Sequence, residues 1–202
     1  IINELKKSLF ENIHINDVKK AMILSARTLI ESDPDYTYVT AQLLLSTLKE
    51  EVYQTVMSTE PAVLANQIDY PSIFSKTIQF GIDNEYLHPN LNDFDLARLG
   101  NALIPDNDKK FTYLSLQTLY DRYFIHHQQK RIELPQTFFM RVAMGLAHCE
   151  GDQRDQRAIE FYQLLSSFDY MSSTPTLFNS GTLRPQLSSC YLTTVADDLD
   201  NI

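Results

Sequence analysis

A thiol set among hydroxyls is the chemistry most visible in this sequence. Cys190 lies in SSCYL, and Thr174, Thr176, Ser180, Thr182, Ser188 and Ser189 crowd the run from Met171 to Ile202 around it. Pro175, Asn179, Gly181 and Pro185 punctuate the first half of that run and predict turns rather than a helix. Backbone N–H groups exposed at such turns, together with the hydroxyls, would suit a phosphate, although serine and threonine are also ordinary loop residues. The second half, Leu187 to Val195, is rich in β-branched, leucine and aromatic residues and predicts a strand entering a core. A cysteine in such a strand faces either a packed interior, as a small hydrophobe, or an active-site cavity, and residue types alone leave both open.

The remaining candidates carry less chemistry. Cys149 ends a helical pattern and reads as a reduced thiol without a role. Two cysteines form neither a C-x-x-C site nor a disulfide framework. His126 and His127 point in different directions on any regular element, and no nearby cysteine or third histidine completes a metal set. With the Gln-Gln-Lys that follows, they predict a solvated turn between two short strands, spanning Phe124 to Glu133.

The elements that must position the thiol are mostly helical. Ile2, Leu5 and Leu9 give a weak helical pattern at the start. Val18, Met22, Ser25 and Leu29 predict a helix over Asp17 to Ile30 with Asn16 as its cap, and Asp33-Pro34 opens a second, antiparallel one running toward Val56. Periodicity is poor from Ser58 to Asn92, with a short helix expected over Ile73 to Phe80. Further helices are expected near Asp93 to Leu103 and over Leu114 to Phe124, the latter capped by Thr112 or Ser115. Pro135 opens another, with Phe139, Val142 and Leu146 on its apolar face. Gly151 ends that helix, and Asp152 or Asp155 caps the next, which runs to Phe168.

Composition narrows the function classes. The formal charge of -9 argues against a non-specific nucleic-acid surface, which must neutralise phosphates with Lys and Arg, so any nucleotide would be held locally by a few placed donors. No apolar run approaches the length of a membrane span, and Ile1-Ile2-Asn3 does not begin a secretory leader. A lone buried strand has no partner for its ladder groups, so a chain closing on one is expected to be a piece of something larger.

The run STPTLFNSGT…PQLSSCYL, followed by Asp197, Asp198 and Leu199, resembles the start of the catalytic barrel in the large subunit of ribonucleotide reductases. YDRYF…ELPQTFFMRVAMGLA, Tyr120 to Ala147, is similar to that family's N-terminal helical domain, and SDPDYTYVTAQLL, Ser32 to Leu44, looks like the junction with its regulatory region. The resemblance implies a mainly α N-terminal domain leading into the first strand of a ten-stranded α/β barrel, here truncated. Residues 1–55 would be the trailing part of an ATP-cone-like regulatory region with linker helices, 56–170 the helical domain, and 171–202 the start of the barrel.

For function, the resemblance implies a ribonucleoside-diphosphate reductase, with the radical cysteine outside this stretch and the stretch alone inactive. Cys190 matches the first thiol of the redox-active pair, its partner lying beyond residue 202. Thr174 and Ser189 match contacts to the substrate diphosphate, and Asp197, Asp198 and Leu199 match the site of the deoxynucleotide effector, with Asp198 where family members often carry serine. In the resemblance, Glu50 stands at a position that can be a lysine in the family's overall-activity site. No cofactor is expected on these residues themselves. The family implies a thiyl radical generated by a metal-containing small subunit or, in the alternative branch, by cobalamin. Implied partners are ribonucleoside diphosphates, nucleoside triphosphate effectors, the small subunit, thioredoxin or glutaredoxin as reductant, and a second large subunit in a homodimer, all in the cytoplasm. A helical assembly module without chemistry is the alternative from a different class.

Overall fold

Ala41, Leu45, Leu48 and Val52 fall three or four residues apart and share one buried face of a long helix, against which much of the chain packs. The structure, a computed structural model, describes residues 1–57 and 69–194. In chain order its helices are α1 (Ile2–Ser8), α2 (Ile15–Thr28), α3 (Tyr36–Met57), α4 (Tyr70–Asp83), α5 (Leu96–Asn101) and α6 (Tyr113–Arg122). A hairpin of β1 (His126–His127) and β2 (Lys130–Arg131) leads into α7 (Pro135–Ala147), α8 (Arg154–Ser166) and α9 (Thr174–Asn179). The long helix is α3, which packs against α2, α4, α6 and the hairpin, while α7 packs against α4 and α8. Every residue of α7 from Pro135 to Met144 is buried, so this helix runs through the interior rather than along a surface.

Local chemistry explains most helix starts. Thr112 Oγ1 accepts the Ser115 N–H at 3.3 Å to cap α6, and Asp95 Oδ1 accepts the Arg98 N–H at 2.9 Å to cap α5. Pro71 and Pro135 sit in the first turns of α4 and α7, where a missing N–H costs nothing. In the hairpin, Gln128 and Gln129 both have positive φ, 47° and 72°, the conformation that a two-residue turn needs to match strand twist. The expected solvated turn between two short strands is thus present, with His126 opposite Arg131 and His127 opposite Lys130.

Several expectations need correction. The cap of α2 is His14, whose Nδ1 accepts the Asn16 N–H, rather than Asn16. The helix expected near Asp93 to Leu103 is present as the shorter α5, and the loop expected before it contains a 3-10 turn, Pro89–Asp93. Neither Asp152 nor Asp155 caps α8, and Asp155 instead accepts the Asp95 N–H at 3.2 Å. The turn-rich stretch after Met171 contains α9, because Pro175 falls in its first turn and so opens the helix instead of breaking it.

The strand predicted from Leu187 to Val195 does not form over the described residues 187–194. Cys190, Tyr191 and Leu192 are exposed there. A strand exists only where a neighbour completes its ladder, and among the described residues none lies alongside. The two-stranded hairpin is the one sheet among them, and no barrel is seen. Val195 lies outside the described residues.

A buried polar group ties the middle of the chain together. The Tyr70 hydroxyl donates to Asp108 Oδ2, and Gln136 Nε2 donates to Asp108 Oδ1 at 2.7 Å. The Tyr162 hydroxyl donates to Gln136 Oε1 at 2.7 Å and accepts the Ile104 N–H at 2.7 Å. Each of α4, α7, α8 and the 3-10 turn Pro105–Lys110 therefore contributes one member. Loss of water pushes the Tyr162 phenol up to about 12, and burial followed by the neighbouring Asp108 charge raises Tyr70 well above the usual range.

Both phenols hold their protons more tightly folded than unfolded, so their contribution to stability is complete below the unfolded value of about 10 and declines as pH rises above it, in the case of Tyr162 toward its folded value of about 12. The urea midpoint is expected to fall across that window, with tyrosinate absorbance appearing alongside unfolding. Midpoints that stay level to pH 12 would contradict the assignment. Tyr162→Phe, which strips Gln136 Oε1 and the Ile104 N–H of a partner, is expected to cost about 1–3 kcal/mol in the same assay.

Candidate functional site

The hydroxyl-rich segment that the sequence singles out is held by one buried side chain. Arg141, on α7, is wholly buried and faces Glu133, which ends the hairpin and is 1% exposed. Arg141 Nε donates to Glu133 Oε1 at 2.9 Å and one terminal nitrogen to Glu133 Oε2 at 3.1 Å, a two-pronged pair. Glu133 Oε2 also accepts the Ile125 N–H at 2.8 Å, which fixes the carboxylate to the far side of the hairpin. The other terminal nitrogen of Arg141 donates to the carbonyls of Leu177, at 3.1 Å, and Ser180, at 2.9 Å, at the end of α9.

Close backbone approach completes the contact between α7 and the segment. The Ser180 hydroxyl donates to the Val142 carbonyl at 2.7 Å. Gly145 has no room for a side chain, since a Cβ there would stand 2.2 Å from the Gly181 nitrogen. Gly181 adopts φ +77°, a conformation glycine reaches at little cost, and its carbonyl accepts the His88 N–H at 3.0 Å. From α9 onward the chain is tied by its own side chains. Thr176 Oγ1 donates to the Leu187 carbonyl at 3.1 Å and Asn179 Nδ2 to the Gln186 carbonyl at 2.8 Å.

Of the residues expected to act, Thr174 begins α9 and is exposed, with its hydroxyl 3.2 Å from the Tyr123 hydroxyl. Tyr123 in turn stacks on Phe178, ring centroids 4.5 Å apart. Ser189 and Cys190 are exposed neighbours, the Ser189 hydroxyl donating toward Cys190 Sγ at 3.9 Å. Thr174 thus sits at the head of the segment and Ser189-Cys190 at its tail, joined through the bonds from Thr176 and Asn179 rather than by any bond of their own among the described residues. Beside the tail lies an open depression of about 700 Å³ lined by Arg184, Gln186, Leu187, Ser188 and Tyr191, where a guanidinium and a hydroxyl face solvent together. Such groups favour an oxyanion. Asp197, Asp198 and Leu199 lie outside the described residues.

Cys149 is exposed just past the end of α7. Both cysteines are free. His127 Nδ1 lies 3.0 Å from the Tyr86 hydroxyl, and no group of three or more potential metal ligands occurs among the described residues. Glu50 pairs with Lys19 on α2. Next to it Glu51 accepts both the Tyr120 hydroxyl, at 2.7 Å, and the Arg131 N–H. Burial, then the Glu51 carboxylate, raises the Tyr120 phenol. These carboxylates are committed to joining helices. No helix among the described residues is long and apolar enough to cross a membrane.

Arg141 and Glu133 escaped the sequence reading. A signal was present: PQTFFMRVAMGLA carries one charged residue within a largely apolar run, and the structure, in which ten successive residues of α7 are buried, shows why that arginine must find a carboxylate. Glu133, eight positions back across a helix start, gives no periodic clue to that pairing.

Comparison with known proteins covers both the scaffold and the segment. Residues 109–185, which include Glu133, Arg141 and Thr174, match the family profile described as ribonucleotide reductase, all-alpha domain. The ribonucleoside-diphosphate reductase subunit alpha of Chlamydia pneumoniae is 46% identical over 196 residues, covering 96% of this chain and 18% of that protein. Its counterpart from Helicobacter pylori strain 26695 is 44% identical over 110 residues, 54% of this chain and 14% of that protein. The large chain from Schizosaccharomyces pombe is 33% identical over 184 residues, 86% of this chain and 20% of that protein. The chain therefore spans about a fifth of the length of the relatives it matches most fully.

The tight crossing of α7 and the segment yields a direct test. In Gly145→Ala the new methyl would lie 2.3 Å from Ser180 Oγ and 2.7 Å from the Ser180 carbonyl carbon, so the segment must move away. A loss of about 1–3 kcal/mol in urea unfolding is expected, as for other overpacked sites, with the Gly181 amide resonance displaced. Wild-type stability with an unshifted Gly181 resonance would show that the crossing is looser than described.

Proposed function

The chain belongs to the ribonucleotide reductase large (alpha) subunit family, whose N-terminal part it matches, and from that premise we propose that the whole protein reduces ribonucleoside diphosphates to deoxyribonucleotides. The observation that carries this reading is 46% identity over 96% of the chain to a relative named for that activity. In the reading, residues 1–55 are the trailing part of a regulatory cone, 56–170 the helical domain and 171–202 the entry to the catalytic barrel. Thr174 and Ser189 bind the substrate diphosphate, and Asp197, Asp198 and Leu199 bind the deoxynucleotide effector. A carboxylate suits the ribose hydroxyls of such an effector and would repel its phosphates, so Asp197 faces the sugar.

Cys190 is then one of two thiols that supply the electrons. Replacing the 2′-hydroxyl by hydrogen releases water and consumes two electrons and two protons. Both come from the thiol pair, which closes to a disulfide and is reopened by thioredoxin or glutaredoxin. The partner thiol lies beyond residue 202. A thiyl radical, generated with a metal-containing small subunit, opens the reaction at a cysteine outside this stretch. The working unit is a homodimer of large subunits in the cytoplasm. Exposure of Cys190 among the described residues supports a thiol that must exchange with both a partner cysteine and an external reductant.

In the full-length protein, Cys190→Ser is expected to leave folding and nucleotide binding intact, since the side chain is exposed, while multiple-turnover reduction stops. Peptide mapping of the wild type after turnover without added reductant should find Cys190 in a disulfide with a cysteine beyond residue 202. A free Cys190 after such turnover, with catalysis intact in Cys190→Ser, would remove it from the reaction.

Asp197→Ala in the same protein is expected to weaken effector binding by about 1–3 kcal/mol, the loss of an acceptor for a ribose hydroxyl, and to flatten the dependence of substrate choice on effector. Equal effector affinity in mutant and wild type, by equilibrium dialysis, would place the effector elsewhere.

A further inference from the structure

Arg141 has no part in the chemistry just described, yet it touches both the scaffold and the segment that carries the candidate substrate contacts. Its guanidinium is planar, and the Glu133 carboxylate takes two of its three nitrogens, which fixes the plane. The third nitrogen is thereby aimed at the carbonyls of Leu177 and Ser180, at 3.1 and 2.9 Å. These lie at the last turn of α9, where carbonyls lack partners within the helix and a cation is electrostatically favoured. Because one rigid fork makes both sets of bonds, α9 cannot slide along α7 without giving up bonds at one end or the other.

We propose that Arg141 is a positioning residue for substrate binding: it sets where the backbone of residues 173–187 lies, and through that backbone the Thr174 hydroxyl and the Ser189-Cys190 pair. The route is continuous. At the head of the segment, Phe178 stacks on Tyr123, whose hydroxyl meets Thr174. Toward the tail, Thr176 and Asn179 hold the Leu187 and Gln186 carbonyls, two or three residues before Ser189-Cys190. Glu133 acts on the segment only through Arg141, and its other bond runs to the Ile125 N–H. A lysine at position 141 would keep the charge but lacks the fork, so it could serve the carboxylate or the carbonyls and not both in fixed relation.

This inference rests on the reading of Thr174, Ser189 and Cys190 as substrate-site residues, and the test separates the two. Full-length protein with its radical-generating partner is assayed with CDP, a ribonucleoside diphosphate, and rates are expressed per folded molecule, counted by effector binding. Arg141→Lys and Arg141→Met are expected to lower kcat/KM about 100-fold, the scale of an ångström-size misplacement, with KM raised. Glu133→Gln, which keeps one acceptor for the fork but loses the second that fixes its plane, is expected to lower Tm and to raise KM in the same direction by a smaller factor. Thr176→Val removes the donor to Leu187 without disturbing the ion pair and should raise KM in the same direction, which keeps the idea testable if the arginine variants do not fold. Wild-type KM and kcat per folded molecule in Arg141→Lys or Arg141→Met, or in Thr176→Val where the arginine variants do not fold, would reduce Arg141 to a stabilising residue and overturn the proposal. A wild-type protein that neither reduces CDP nor oxidises Cys190 would instead overturn the functional reading, and the inference with it.

Discussion

Glu133 and Arg141 meet in the interior, almost wholly out of water, through two N–H···O bonds. Taking two such charges out of solvent costs several kcal/mol per ion, and only good geometry with every remaining donor and acceptor satisfied offsets it. That requirement propagates outward. The carboxylate needs the Ile125 N–H, so the hairpin must fold back beside α7. The guanidinium needs two carbonyls, so the chain after α8 must return to α7 and end a short helix there. Removing one member would leave a buried charge unpaired, at about 3–5 kcal/mol.

The Asp108–Tyr70–Gln136–Tyr162 group plays the corresponding part on the other side of α7. It contains one ionisable carboxyl and no cation among its hydrogen-bonded members, and loss of water raises the Asp108 carboxyl above its usual range. The two groups sit five residues apart on α7, at Gln136 and Arg141, so a single helix carries both polar inserts within an otherwise apolar run. This explains how so short an element can fix the 3-10 turn at Pro105–Lys110, α8 and the hydroxyl-rich segment at once. The chemistry proposed for Cys190 and Thr174 depends on this frame rather than on any rigidity of their own, since both are exposed.

Helical periodicity made α2, α3, α7 and α8 legible in the sequence, because a helix is closed by bonds between residues four apart and its buried face repeats on the same scale. The hairpin was legible for a similar reason, with two polar residues between short arms. The motif from Thr174 to Cys190 named the family before any coordinates, and the matched relatives bear that out. Three features were not legible: the helix at Thr174–Asn179, the absence of a strand over residues 187–194, and the partner of Arg141. Proline in a first turn opens a helix as readily as it breaks one further along, and residue type does not tell which. A strand is a property of two segments, so strand-like residues without a neighbour remain exposed chain. Arg141 announced that it needed a carboxylate without indicating that Glu133 supplies it or that the spare nitrogen holds α9. The sequence therefore determined the helices and the family through interactions within a few residues, and only the tertiary structure decided the pairing across elements, because burial brings together groups that chain spacing does not relate.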